Sequence, residues 1–321
     1  MKSKLLDSKN IAKYKTQLGL LGITFIVLLL FIITSPNVFL SPRIYRSFLT
    51  TVPFVGIMAL GLTMILAMGE IDLSFPAVMA LSGFVFAITF KTTGSITLAV
   101  LACLAVGAVV GLLNGLLITK IGIPSIIVTI GMQFFIRGFS NIISQGRAHS
   151  LSLEGNFYYK LFRGSFFNIP SQSIWFLVIA ILLWLILFRH KFGEHILFTG
   201  DNEDATKMMG INVDKVKILT FMLMAVLASF AGILDIFRMR TWWPTMGEGY
   251  LMMTVATVFV GGTSMFGGEA TILGTLVGAF LIGSLQAGIV AAGLSGFWTQ
   301  FIYGLLILSA VTLHTVLKKD R

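Results

Sequence analysis

The chain has 321 residues, of which 56% are hydrophobic and 11% charged, where a soluble domain carries about 25% charged residues. Its formal net charge is +10, but apolar blocks separate the basic residues, so no contiguous phosphate-tracking patch forms and a nucleic-acid partner is excluded. Apolar runs long enough to cross a bilayer recur from end to end, and stretches such as 174–188 are apolar all round instead of alternating, which excludes both a soluble fold and a β-barrel.

Residues 1–15 hold five lysines and precede the first apolar run, which ends without a small-x-small cleavage pattern, so 1–16 read as a cytoplasmic segment ahead of an uncleaved signal anchor. The predicted spans then fall near 17–35, 48–68, 73–90, 96–119, 125–144, 174–188, 218–237, 251–265, 271–291 and 297–317, the eighth being short. The expected fold is an all-α polytopic membrane protein of about ten transmembrane helices, a single domain over 1–321 surrounded by membrane lipid. An even number of spans places both termini on one side. That side collects Lys2, Lys4, Lys9, Lys13, Lys15, Lys120, Arg189, Lys191, Lys207, Lys215, Lys217, Lys318, Lys319 and Arg321, fourteen basic residues against eight opposite, which predicts cytoplasmic termini.

Within span four lies a run of glycines at four-residue steps, Gly107, Gly111 and Gly115, and a second pair, Gly274 and Gly278, occurs in span nine. Such spacing puts small residues on one helix face and predicts close helix packing. Cys103 has no partner in the chain for a disulfide or metal site and is expected to pack as a small hydrophobe.

Two polar segments interrupt the apolar background. Residues 146–173 contain Phe157-Tyr158-Tyr159 among basic residues, and 189–217 form a loop long enough for a short helix lying on the cytoplasmic side. Within the second, Asp201 or Asn202 can cap a helix, Glu203 and Asp204 fall in its first turn, Lys207 sits late, and Gly210 suits the left-handed residue that ends it. No glycine-rich loop ending in Gly-Lys-Ser or Gly-Lys-Thr is present, and the four histidines are scattered without zinc-type spacing. No nucleophile and base pair stands out, no cofactor is expected on this chain, and if ATP drives it, another chain binds the nucleotide.

The stretch from Phe198-Thr199-Gly200-Asp201-Asn202 through Ala205 to Gly210-Ile211-Asn212-Val213 resembles the cytoplasmic coupling loop of the permease subunits of bacterial ABC importers of the ribose, galactose and autoinducer type. The general importer loop has Glu-Ala-Ala with Gly after three further residues, whereas here Glu203-Asp204-Ala205 reaches Gly210 one residue later. Gly69-Glu70-Ile71-Asp72-Leu73-Ser74 is similar to the family's Gly-Gly-Ile-Asp-Leu-Ser, with Glu70 replacing a glycine and expected to face cytoplasmic water. Asn114-Gly115, Ile123-Pro124, Arg137-Gly138 and Gly261-Gly262-Thr263-Ser264 with Gly267-Gly268 follow in the family's order, Glu269 standing where a small residue is usual. The resemblance runs from about Phe48 to Leu317.

The resemblance implies a permease subunit in the bacterial cytoplasmic membrane for a small sugar or sugar-like solute. It implies a short coupling helix between spans six and seven, at Gly200, Asp201, Asn202, Glu203, Ala205 and Gly210. It also implies ABC ATPase subunits carrying ATP and Mg²⁺, an extracytoplasmic substrate-binding protein, and a second permease copy or paralogue. An ion-coupled secondary transporter is the alternative; it needs ionisable groups near the midplane, where Arg137 is the one candidate.

Polar residues within spans have two open readings each. Asp72 and Ser74 either cap the start of a span or line a gate or substrate path. Arg137 either faces partners in the bundle or reaches the outer surface. Asn114, Gln133, Asn141 and Gln286 either join helices or meet solute hydroxyls. Asp235 pairs at helical spacing with Arg238 or Arg240, and Trp242 and Trp243 suit an interfacial aromatic belt or a contact with sugar or binding protein.

Overall fold

The computed structural model describes residues 8–319, with side chains over 19–312. In chain order its helices are α1 (Ser8–Thr34), α2 (Pro36–Phe39), α3 (Pro42–Ala67), α4 (Phe75–Thr93), α5 (Ile96–Leu116), α6 (Ser125–Ser144), α7 (Phe157–Arg163), α8 (Ser171–Arg189), α9 (Lys191–Asp201), α10 (Glu203–Met208), α11 (Val213–Met239), α12 (Tyr250–Val260), α13 (Ile272–Ala291) and α14 (Gly296–Lys319). A π-helical turn, Leu117–Ile121, extends α5. The basic residues of 1–15 and Lys318, Lys319 and Arg321, on which the expected sidedness leans, fall outside the described side chains.

Local chemistry sets the ends of these helices. Ser95, Asn156, Asn212 and Thr271 each accept a backbone N–H from the first turn that follows, satisfying one of the donors a helix start leaves open. Gly94 closes α4 at φ 68° and Gly122 closes the π-helical turn at φ 82°, both in the left-handed region.

Seven helices among the described residues are long and apolar enough to cross a membrane: α3, α4, α5 with its π-helical extension, α6, α8, α11 and α13. Gly19–Thr34, Tyr250–Val260 and Gly296–Thr312 are apolar but shorter. The chain is a multi-pass helical membrane protein. The eighth predicted span is short because 243–249, which precede α12, are not helical.

Burial ranks the helices. In α3, 83% of the apolar window is buried within the chain, against 22% in α6, so α3 is central and α6 lies at the rim. The long α11 packs on α5, α3 and α4; α12 and α13 pack on α3, α8 covers another side of α3, and α6 rests on α4. The glycine face of α5 behaves as its spacing predicts. A Cβ on Gly111 would lie 2.6 Å from the Cα of Met222, and one on Gly115 would lie 2.7 Å from the Cα of Ile218, so the α5 and α11 backbones touch where only glycine fits. Gly278 does the same for α13, where a Cβ would stand 2.6 Å from the Thr257 carbonyl oxygen of α12. Cys103 is fully buried in the α5–α11 contact, its thiol directed at the Ser229 carbonyl.

Outside the bundle, His149–Ser150 pairs antiparallel with Thr241–Trp242, and Ser165–Phe166 pairs with Ile169–Pro170. Trp242 is fully buried instead of forming part of an aromatic belt: its Nε1 donates to the Ala80 carbonyl at 2.8 Å and its ring meets Phe84 edge-on. A polar indole tip in an apolar setting needs such a partner, and the α4 carbonyl supplies it.

Candidate functional site

Two stretches of chain at the heart of the bundle are not helical: 69–74, between α3 and α4, and 243–249, between α11 and α12. Irregular backbone at membrane depth is tolerated only where protein or an aqueous cavity satisfies its polar groups. One face of α6 does most of this. Ser125, Thr129, Gln133 and Arg137 recur every four residues, and each serves an interrupted segment. Ser125 Oγ accepts from Ile71 N at 3.2 Å, Thr129 Oγ1 donates to the Ile71 carbonyl at 3.4 Å, and Gln133 Oε1 accepts from Ala77 N at 3.2 Å.

Arg137 joins the second segment to the first turn of α4. Its Nη1 donates to the carbonyls of Pro244 at 2.7 Å and Met246 at 3.0 Å, and its Nη2 donates to that of Pro76 at 3.3 Å. Of the two readings open to this arginine, the structure takes the one inside the bundle. Because four residues advance a helix by about 40° beyond a full turn, the polar stripe slants, and its next member, Asn141, emerges exposed.

From the α5 side the segment 69–74 is held by a second network. Asp72 Oδ1 accepts from both the N and the Oγ of Ser74 at 2.7 Å, and Asn114 Nδ2 donates to Ser74 Oγ at 2.9 Å. Ser74 does not cap α4 with its side chain. Asp72 Oδ2 and Asn114 Oδ1 are buried without a hydrogen-bond partner. The structure thus brings Asp72, Ser74, Asn114, Gln133 and Arg137 around one interrupted segment. Asn141 and Gln286 stand apart, both exposed.

The second predicted cluster is contiguous with the lower end of this segment. Asn202 Oδ1 accepts from Ala205 N at 2.9 Å and caps α10, with Glu203 and Asp204 in the first turn, Lys207 in the last, and Gly210 beyond it at φ 80°. Asp201 ends α9 and is not the cap. Gly200 sits backbone to backbone against two other segments: a Cβ there would run into the Ala67 carbonyl and stand 2.6 Å from Gly268 N. Gly268 N in turn donates to the Ala67 carbonyl at 2.9 Å, and Gly267 and Gly268, at φ 79° and 75°, make the turn that allows it.

Glu70 departs from expectation. It does not face water: its side chain is 14% exposed and its Oε1 lies 2.6 Å from Lys217 Nζ, which also bonds Glu203 Oε2 at 2.8 Å. The partner 147 residues along the chain is invisible to local patterning, which is why the sequence reading left this carboxylate in solvent. Glu203 also bonds Lys207 at 2.8 Å. Partial burial works against its charge, but the hydrogen bonds from Lys207 and Lys217 prevail and hold its carboxyl below the usual range.

Asp235 pairs with Arg238 at 2.9 Å, while Arg240 bonds Glu154 instead. Met208 and Met209, unremarked in the sequence, are 88% and 63% exposed on and just after α10. Their signal was a pair of methionines closing an otherwise charged helix. Among the described residues no three of His, Cys, Asp or Glu cluster as a metal would need.

A family profile described as "Branched-chain amino acid transport system / permease component" matches residues 44–311. The chain belongs to this permease family. The permease is 34% identical to the ribose import permease protein of Escherichia coli K12 over 295 residues, covering 90% of this chain and 91% of that one. It is 34% identical to the L-arabinose ABC transporter permease protein of Azospirillum brasilense, over 94% of this chain and 88% of that one, and 30% identical to the fructose import permease protein of Rhizobium meliloti, over 93% and 86%. No solved structure matches it. The permease is a transport component and not an enzyme.

Proposed function

We propose that this chain is the membrane-spanning subunit of an ATP-driven, binding-protein-dependent importer of a monosaccharide. The observation that carries the reading is the match, over nine-tenths of both chains, to a permease named for ribose import. In this reading the ten apolar helices, including the three shorter ones, all span the bacterial cytoplasmic membrane, with both termini, α9 and α10 on the cytoplasmic side. A second copy or a paralogue completes the pathway, a substrate-binding protein docks on the outer face, and ATP and Mg²⁺ are held by separate ATPase subunits.

The geometry of α10 supports its role as the coupling helix. It is capped at both ends, it carries Ala205, Met208 and Met209 outward, and exposed methionines are adaptable contacts for a moving partner. Its inner side is fixed by buried Thr206, by Lys217 and by the close approach of Gly200 to Ala67. Gly200, Asp201, Asn202, Glu203, Ala205 and Gly210 are therefore assigned to this contact. Force applied there reaches Glu70 through Lys217 and then the segment 69–74, on which Asp72, Ser74, Asn114, Gln133 and Arg137 converge. Those five act as the clamp that moves with the pathway; Asn141 and Gln286 offer polar atoms away from it. Replacing exposed Ala205 by Arg tests the docking. ATPase assembly and sugar uptake should both fall while the permease itself stays folded; unchanged assembly and uptake would remove α10 as the contact.

A further inference from the structure

A cavity of about 190 Å³ lies away from the clamp around 69–74, between α3, α11, α12 and α13. None of the clamp residues lines it. Its lining includes polar Thr51, Arg238, Tyr250 and Gln286 together with aliphatic residues such as Val55 and Ile282. It is smaller than the sites of drug-sized ligands, which are about 300–1,000 Å³.

The charge in this wall is arranged in an unusual way. Arg238 is pinned by fully buried Asp235, which accepts from its Nε at 3.0 Å and from its Nη2 at 2.9 Å, and by the Phe54 ring, whose centroid lies 4.9 Å from the guanidinium carbon. Tyr250 donates its hydroxyl to the other Asp235 oxygen at 3.2 Å. A guanidinium has five N–H donors, so the Asp235 pair leaves at least two of them for other groups, in a fixed orientation. The Tyr250 oxygen keeps lone pairs for a hydroxyl donor, and the Gln286 amide offers both kinds of group. Because Asp235 already compensates Arg238, the wall presents directional hydrogen bonding with no net charge.

We infer that this cavity is a solute-binding site for a neutral, hydroxyl-rich ring of monosaccharide size, the hydroxyls meeting Arg238, Tyr250, Gln286 and Thr51 and the C–H face resting on Val55 and Ile282. Charge compensation by Asp235 makes it reject sugar phosphates, which an uncompensated arginine would favour. The inference rests on the importer reading, deepening it by placing the substrate.

The test uses the full permease with its ATPase and binding protein in proteoliposomes, and radiolabelled ribose, L-arabinose, fructose and D-allose as probes. Thr51 and Gln286 are exposed, so Thr51→Phe and Gln286→Ala should fold. Thr51→Phe fills the cavity and should abolish uptake with assembly and stimulated ATP hydrolysis retained. Gln286→Ala should raise the apparent KM about tenfold, the value of one good hydrogen bond, with less change in the maximal rate. Asp235→Asn, where it folds, should make ribose 5-phosphate a competitor. If the wild type moves one of the four sugars and both exposed-site variants match it in KM and rate, the cavity is not the solute site and the importer reading stands. If the wild type moves none of them in the complete system, the importer reading fails, and the substrate inferred for the cavity fails with it.

Discussion

Lys217 Nζ lies 2.6 Å from Glu70 Oε1, which ties the first turn of α11 to the start of an interrupted segment. The same ammonium reaches Glu203 of α10, so one cation joins two neighbouring helices to a segment far back in the chain. Both Lys217 and Glu70 are largely shielded, at 12% and 14% exposure, and the bonds therefore keep more strength than a surface pair. Lys217→Met leaves Glu70 without its cation and Glu203 with Lys207 alone. It should lower stability by about 1–3 kcal/mol, below the 3–5 typical of fully buried pairs. Glu70→Gln leaves Lys217 with Glu203 and should cost less. Thermal unfolding in detergent reads this order, and a Glu70→Gln variant as stable as the wild type would show that Glu70 contributes nothing to the linkage.

The ion pairs on Glu203 give α10 a pH dependence of known sign. Its folded carboxyl is more acidic than an ordinary glutamate, because the bonds from Lys207 and Lys217 overcome the effect of partial burial. The contribution is therefore full above the ordinary value of about 4.3 and is lost as pH falls through the depressed value below it. Cys103 is fully buried, so a cysteine placed at Met208 can be labelled selectively. A spin label there should stay ordered from neutral pH to about 5 and gain mobility at lower pH. Glu203→Gln should remove that transition.

Glycine substitutions should separate by what a Cβ would meet. Gly111→Ala drives a methyl to within 2.6 Å of the Met222 Cα, backbone that cannot turn aside, and should destabilise by about 1–3 kcal/mol. Gly131→Ala, with nothing within 4 Å, should be neutral or slightly stabilising, since alanine is the better helix former by about 1 kcal/mol. Melting temperatures of the two variants, measured side by side, check the α5–α11 contact.

Arg137 donates to three carbonyls, two on the non-helical segment before α12 and one in the first turn of α4, which a point charge cannot reproduce. Arg137→Gln should cost about 1–3 kcal/mol for each carbonyl left dry, with some recovery by relaxation. Arg137→Lys should retain only part of the stability. Hydrogen exchange of the amides of 71–77 and 244–250 should rise in both variants; protection equal to wild type would show that the arginine does not clamp them.

Much of this was legible along the chain. The apolar runs located the seven long apolar helices and the three shorter ones, and the glycine steps in α5 foretold a backbone contact because helical spacing alone decides which face they share. Asn202, Glu203, Lys207 and Gly210 mark a capped helix by chemistry that acts within a few residues. What local pattern cannot carry is long-range pairing. Glu70 looked solvated because Lys217 lies far along the chain, and Trp242 looked like a belt residue because its Ala80 partner is 162 positions away. Of the stripe Ser125, Thr129, Gln133 and Arg137 only the last two stood out in the sequence, since serine and threonine are commonplace inside membrane helices.

The central claim is that this bundle moves its solute by work done on α10 by another polypeptide. Proteoliposomes holding the permease should take up radiolabelled ribose or a related monosaccharide only when the ATPase, the binding protein and ATP are all present, and uptake should persist when proton and sodium gradients are collapsed. Uptake by the permease alone, or uptake that vanishes with the ion gradient while ATP remains, would contradict it.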